Sequence, residues 1–151
     1  MRTIKLFEDF SQDFVKELKD FCEMYLAYLT DEGFEVKITD EKGVYDLDTY
    51  VLDIEKVSAH ANYIDGVHGT RYIDNSFKWG EVVDHFIPFY QMLSREYNLV
   101  KSVRDPYGSI NLRQEMTLGR RVGWIWKNYV DVEDLDPDTK IDKIQIPIKA
   151  K

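Results

Sequence analysis

Phe10, Phe14, Leu18, Phe21, Cys22, Tyr25 and Leu29 recur at steps of three and four residues, the spacing that lines up apolar side chains on one side of an α-helix. Lys16, Glu17, Lys19, Asp20 and Glu23 fall between them and form the wet side. Asp9 or Ser11 is placed to cap the start, and Gly33 stands where a left-handed residue ends a helix. The period then changes to two. Phe34, Val36 and Ile38 alternate with Glu35, Lys37 and Thr39, which predicts a half-buried strand. Asp40-Glu41-Lys42-Gly43 reads as a turn into a second strand, Thr49 to Lys56, with Tyr50, Leu52 and Ile54 on one face. The two make a hairpin.

Residues 57–76 carry no clear period, although Tyr63-Ile64-Asp65 is echoed by Tyr72-Ile73-Asp74. So long an irregular stretch in a compact domain is functional or hides short strands. Beyond it, Asn75 or Ser76 can cap a second helix whose stripe is Trp79, Val82, Val83, Phe86, Tyr90, Leu93 and Tyr97. Pro88 inside that stripe removes the bond to the Asp84 carbonyl, so a kink or a late start is expected. Leu99–Arg104, the turn Asp105-Pro106-Tyr107-Gly108 and the alternation Ile110, Leu112, Gln114, Met116 read as a second hairpin. Leu118-Gly119-Arg120 turns the chain into a strand from Val122 to Val130. Ile144, Ile146 and Ile148 alternate in the last segment, where Pro147 suggests a sheet edge. Helices and runs of strands without regular β–α alternation predict one α+β domain over residues 1–151: two amphipathic helices packed on a mostly antiparallel sheet built from hairpins.

Composition changes this picture only in detail. With 151 residues, 44% hydrophobic and 14% aromatic, the chain can fill one core. Its apolar runs are far shorter than the roughly 20 residues a membrane span needs, so no membrane partner is expected. The first residues do not form an apolar signal region, and the lone Cys22 rules out an intramolecular disulfide. A reducing, cytoplasmic setting is expected. The net charge of −8 disfavours a general nucleic-acid binder. Positive charge is nevertheless concentrated at Arg95, Lys101, Arg104, Arg113, Arg120, Arg121 and Lys127, which either pairs with acidic helices of the same domain or serves a partner.

Five features are candidates for chemistry. Asp134, Asp136, Asp138 and Asp142 follow the alternate-oxygen spacing of a calcium loop, with Ile141 at its apolar position. Thr139 replaces the glycine such a loop needs, and Gln145 replaces its bidentate glutamate. The alternative is a solvated acidic connection. His60, Asp65 and His68, with His85 brought in by folding, offer a histidine–carboxylate metal set, but no pair has the i, i+4 spacing of a helical motif. His68-Gly69-Thr70 matches half of the paired signature of two-histidine phosphoesterases and lacks the second half. Cys22 lies on a core stripe, which reads as packing and not as a nucleophile. Tyr107, Arg113, Arg120, Arg121, Trp124, Trp126 and Lys127 interleave aromatic and basic residues. If Trp124 and Trp126 share a sheet face, that face can anchor a protein partner or stack bases. The alternative places both tryptophans in the core.

The opening Met1-Arg2-Thr3-Ile4-Lys5-Leu6-Phe7-Glu8-Asp9-Phe10 resembles the start of many small, uncharacterised proteins of T-even-like tailed phages. The resemblance covers about ten of the 151 residues. It implies a virion or host-directed role. In that group, internal head proteins carry an N-terminal targeting segment cut after a Leu/Ile-x-Glu triplet, which Leu6-Phe7-Glu8 fits. Three functions are therefore expected in this order: a non-enzymatic interaction protein with a host or virion protein partner, a metal-dependent enzyme using the 60–68 or 134–142 loop, and a small nucleic-acid binder using the basic strands.

Overall fold

The computed structural model describes residues 2–39, 49–57, 63–65, 71–73, 75–101 and 108–150, and only the backbone of 2–12, 63–65, 71–73 and 118. Two long helices, α1 (Arg2–Tyr25) and α3 (Val83–Glu96), and a short α2 (Ala27–Asp31) pack on one face of an antiparallel sheet. Its strands are β1 (Phe34–Thr39), β2 (Thr49–Lys56), β5 (Phe77–Lys78), β6 (Asn98–Leu99), β7 (Ile110–Leu118), β8 (Arg121–Tyr129) and β9 (Lys140–Lys149). The order along the sheet is β1-β2-β9-β7-β8, with the short β5 and β6 also paired to β9. A separate hairpin joins β3 (Tyr63–Asp65) to β4 (Arg71–Ile73). The expected two-layer α+β fold is present.

From Phe14 onward the helical stripe works as predicted, with one change of member, while the side chain of Phe10 lies outside the described residues. Phe14, Leu18, Cys22, Leu26 and Leu29 are buried while Tyr25 faces out, because a strict four-residue step from Leu18 through Cys22 lands on Leu26. α1 starts at Arg2, ahead of the expected caps, so Asp9 and Ser11 lie inside it. The helix breaks at Leu26 and resumes as α2, and Gly33, at φ 92°, ends it as expected. The second helix starts late: Phe77–Lys78 is extended, Trp79–Glu81 is a 3₁₀ turn, and α3 begins at Val83, so Asn75 and Ser76 do not cap it. This places Pro88 in the second turn of α3. Phe86, Phe89 and Leu93 face the core, and Trp79 is fully buried against Phe86.

β1 and β2 run over the predicted residues and pair with one another. Two other expectations are corrected. Among the described residues Ile110–Leu118 does not pair with Leu99–Lys101, and the rest of that expected strand, 102–104, lies outside the described residues. The hairpin partner of Ile110–Leu118 is β8, through the two-residue loop Gly119-Arg120. Gly119 sits at φ 65°, which the first position of such a loop demands. The residues after Asn98 instead join β9. Nor is Pro147 at an edge: β9 is the central strand, with β2 along one side and β7 then β6 along the other.

The tolerance of Pro147 follows from ladder phase. In an antiparallel strand the N–H and C=O of one residue point the same way, and successive residues point to opposite neighbours. The Pro147 carbonyl accepts from Val100 N–H at 2.9 Å, so the missing N–H lies on that same side. There β7 pairing ends at Gln145 and β6 pairing begins at Ile148. The ladder to β2 loses nothing. The bond from Val57 N–H to the Gly33 carbonyl fixes the same phase from the other end of the sheet.

A bulge completes the arrangement. Arg113 pairs with Lys143 but Gln114 with Ile141, so β9 has one extra residue there. Such an insertion inverts the alternation. Ile141 thereby joins Ile144, Ile146 and Ile148 in the core, while Asp142 faces Arg113 on the far side. The predicted turn at Asp40–Gly43 and the one at Asp105–Tyr107 lie outside the described residues.

Ile144 is fully buried between Ile54 and Leu112, at the crossing of three strands. Ile144→Ala is expected to lower stability by about 2–5 kcal/mol in urea unfolding. Ile125→Ala, on the exposed edge, is expected to change it by less than about 1 kcal/mol.

Candidate functional site: an arginine–tryptophan face at a sheet edge

The sheet has a second face, turned away from the helices. Strand alternation places on it Lys37 of β1, Asp53 and Glu55 of β2, Lys143 and Gln145 of β9, Asn111 and Arg113 of β7, and Trp124, Trp126 and Asn128 of β8. Opposite charges meet across neighbouring strands. Lys37 Nζ lies 2.9 Å from Glu55, and Lys143 3.8 Å from the same carboxylate. The hydrogen bond and charge of Glu55 hold the Lys37 ammonium above its ordinary value.

Arg113 is the hinge between this charged ladder and the tryptophans. Its Nε donates to Asp142 Oδ1 at 2.8 Å and its Nη2 donates to Oδ2, a two-pronged pair. The bulge makes the pair, because without the extra residue Asp142 would face the core. The guanidinium carbon also lies 5.8 Å from the centre of the Trp124 ring, within cation–π range. Trp126 stands directly across from Arg113 on β8. Charge compensation at Arg113 thus comes from a neighbouring strand and not from an acidic helix.

Neither of these tryptophans is in the core. Trp124 is half-buried and Trp126 is 38% exposed. β8 is the terminal strand of the sheet, so among the described residues it has a ladder partner on one side only. Next to them Asn128 clamps the incoming chain. Its Oδ1 accepts from Gly108 N–H at 2.7 Å, and its Nδ2 donates to the Gly108 carbonyl at 2.7 Å and to Asn111 Oδ1 at 2.9 Å. Gly108 is pressed against the strand so closely that a Cβ there would lie 1.9 Å from the Tyr129 carbonyl oxygen. The clamp was not read from the sequence, although glycine just ahead of a strand is its signal.

Of the predicted aromatic–basic set, Arg113, Trp124 and Trp126 come together. Arg121 and Lys127 are exposed on the opposite face of β8, and Arg120 is exposed in the hairpin loop. Tyr107 lies outside the described residues.

The acidic segment does a different task. Asp134, Asp136 and Asp138 are exposed, and Asp142 is 8% exposed and bound to Arg113. Asp136 Oδ1 accepts from Asp138 N–H at 2.9 Å, an Asx turn, and Asp138 lies 3.7 Å from Lys78. The loop straps the start of the second helical segment: Trp79 N–H donates to the Thr139 carbonyl and Gly80 N–H to that of Pro137, both at 2.8 Å. Among the described residues no three His, Cys, Asp or Glu side chains gather as a metal site. Of the other candidate set, His85 is half-buried and stacked on Tyr28 at 4.0 Å between ring centres. His60, His68 and the side chain of Asp65 are outside the described residues, as are the side chains of Leu6, Phe7 and Glu8.

Cys22 is buried on the core stripe, and burial, with a smaller effect from Glu23, pushes its thiol up to about 12 from 9.0. Burial does the same to the Tyr97 hydroxyl, raised from 10.0 to about 12. Both groups are held protonated in the fold. Their contribution is complete below the unfolded values and is lost as pH rises from 9 toward 12. Urea midpoints are expected to be insensitive to both groups below pH 9 and to fall above it, and a thiol reagent should leave Cys22 untouched at neutral pH until the chain unfolds. Arg113→Ala leaves the Asp142 carboxylate buried without its fork, an expected loss of about 1–3 kcal/mol. Arg113→Lys restores only part of it, since an ammonium cannot make both bonds.

No helix among the described residues is long and apolar enough to cross a membrane. Comparison of the chain with protein-family models, with curated proteins and with solved structures finds no match in any of the three.

Proposed function

We propose that this chain is a non-enzymatic interaction protein that holds a protein partner against the Arg113–Trp124–Trp126 face of β7 and β8. One observation carries the reading: two tryptophans of the terminal strand stay partly in water while a third, Trp79, fills the core. Exposed tryptophan on a rigid strand, with an arginine stacked beside it, is the composition of an interface anchor. Holding Arg113 by Asp142 preorganises the surface, so little side-chain entropy is lost on docking. With the phage origin that the N-terminal residues suggest, the partner is a virion protein or a host protein.

The same tryptophans could stack bases, which is the second reading. A protein partner is favoured because Asp142 offsets the charge of Arg113 and the whole chain carries −8. Phosphate binding draws on uncompensated positive charge.

The test is affinity purification with the tagged chain, from host lysate and from disrupted particles. A stoichiometric protein partner is expected with the unaltered chain. The Trp124→Ala/Trp126→Ala variant should retain it at least about tenfold less well, with its urea midpoint nearly unchanged. Undiminished recovery by the double variant places the interface elsewhere.

A further inference from the structure

The two ends of the sheet are built differently. At one end, β1 carries Glu35 and Lys37 near its middle, with Lys37 paired to Glu55. A charged residue in mid-strand is a common guard against edge-to-edge pairing. At the other end, the middle of β8 is Trp124-Ile125-Trp126, with Ile125 42% and Trp126 38% exposed. Nine residues long and without a ladder partner on its outer side among the described residues, β8 lacks this guard. β3 lies near β8 but, among the described residues, pairs only with β4.

Ladder phase shows which backbone groups are free to pair. Carried across from Pro147, it makes Asn111 bond to β9, so Leu112 bonds to Lys127 and Gln114 to Ile125. The N–H and C=O groups of Val122, Trp124, Trp126 and Asn128 therefore point outward. The charged side chains of β8 itself and of its hairpin loop have one sign, although Glu115 of β7 stands across from Trp124. From Leu118 to Val130 the charged residues are Arg120, Arg121 and Lys127, with no carboxylate among them, in a chain of net charge −8.

We propose that the outer edge of β8 takes an extended acidic segment of a partner protein as an added antiparallel strand. The inference rests on the preceding reading that this region docks protein, and it names the mode and the chemistry. The added strand sets carboxylates opposite Arg121 and Lys127 on one face and apolar side chains over Val122, Trp124 and Trp126 on the other. Backbone bonds give the affinity and the alternating side chains give the choice of partner. A second copy of β8 does not fit, because self-pairing aligns two strands that carry only positive charge.

The probe is the peptide acetyl-Glu-Val-Glu-Val-Glu-Val-Glu-amide, titrated calorimetrically and by amide NMR into the full chain. Saturable one-to-one binding is expected, with the largest shifts at the amides of Val122, Trp124 and Trp126. Replacing Glu by Lys in the peptide, or introducing Arg121→Glu with Lys127→Glu, should weaken binding about tenfold or more. Val122→Pro removes one outward N–H without touching the ladder to β7, and should weaken binding while the urea midpoint holds. Equal binding of the acidic and basic peptides, indifference to Val122→Pro, tighter binding of a short oligothymidine, or a dimer in sedimentation would each overturn the proposal. If the peptide fails to bind while the tryptophan variant still loses its partner, the edge mode falls and the docking face stands. If the peptide binds and that variant keeps its partner, the edge stands and the docking face falls.

Discussion

The sheet depends on β9 being gripped from both sides at once. Its core residues Ile141, Ile144, Ile146 and Ile148 are fully buried, and they meet β5 and β2 on one side and β7 and β6 on the other. Without this strand the β1–β2 hairpin and the β7–β8 hairpin are two separate pairs, and an isolated pair is marginal in water. Because β9 is the last strand and β2 is reached early in the chain, the contact that unites the sheet is also one of its longest in sequence. Such closure is entropically demanding, which places this fold among the slower folding small domains.

The same strand shapes the outward surface. Its bulge returns Ile141 to the core and turns Asp142 toward Arg113, so a packing adjustment on one face creates an ion pair on the other. That pair holds Arg113 beside Trp124. Trp124 consequently rests on a fixed arginine, Trp126 stands across from that arginine, and both keep part of their surface in water. A core placement for them was the simpler expectation, but the core is already filled by Trp79 and the phenylalanines of α3. The edge position of β8 then leaves outward backbone groups beside an apolar, positively charged strand, a combination suited to an acidic extended segment.

Local patterns were legible in the sequence to the extent that local forces decide them. The stripe of the first helix, the alternation of β1 and the extent of β2 follow from burial on one face, and the structure has them. Pairing between distant strands has no such local signature. Ile110–Leu118 looks equally suited to a partner on either side in sequence, and β8 takes the place expected for residues 99–104 because Gly119 supplies the tighter turn. Pro147 misled for a physical reason: loss of an N–H matters only where a partner carbonyl waits, and the ladder phase aims that gap between β7 and β6. The echo of Tyr63-Ile64-Asp65 in Tyr72-Ile73-Asp74 falls on the two strands of one hairpin, Tyr63–Asp65 and Arg71–Ile73. Arg113 and Trp124 were singled out by composition. Their junction through Asp142 has no local signature, because a bulge between strands distant in sequence aims that carboxylate at Arg113.

Amide hydrogen exchange of the free protein tests the central claim directly, that β9 unites the sheet and leaves the outer edge of β8 open. Ile144 and Ile146 are expected to exchange only through global unfolding. Along β8, Gly123, Ile125 and Lys127 should be protected while Val122, Trp124 and Trp126 exchange rapidly, an alternation with a period of two. Uniform slow exchange along β8, or exchange in β9 as fast as at a sheet margin, would contradict the account.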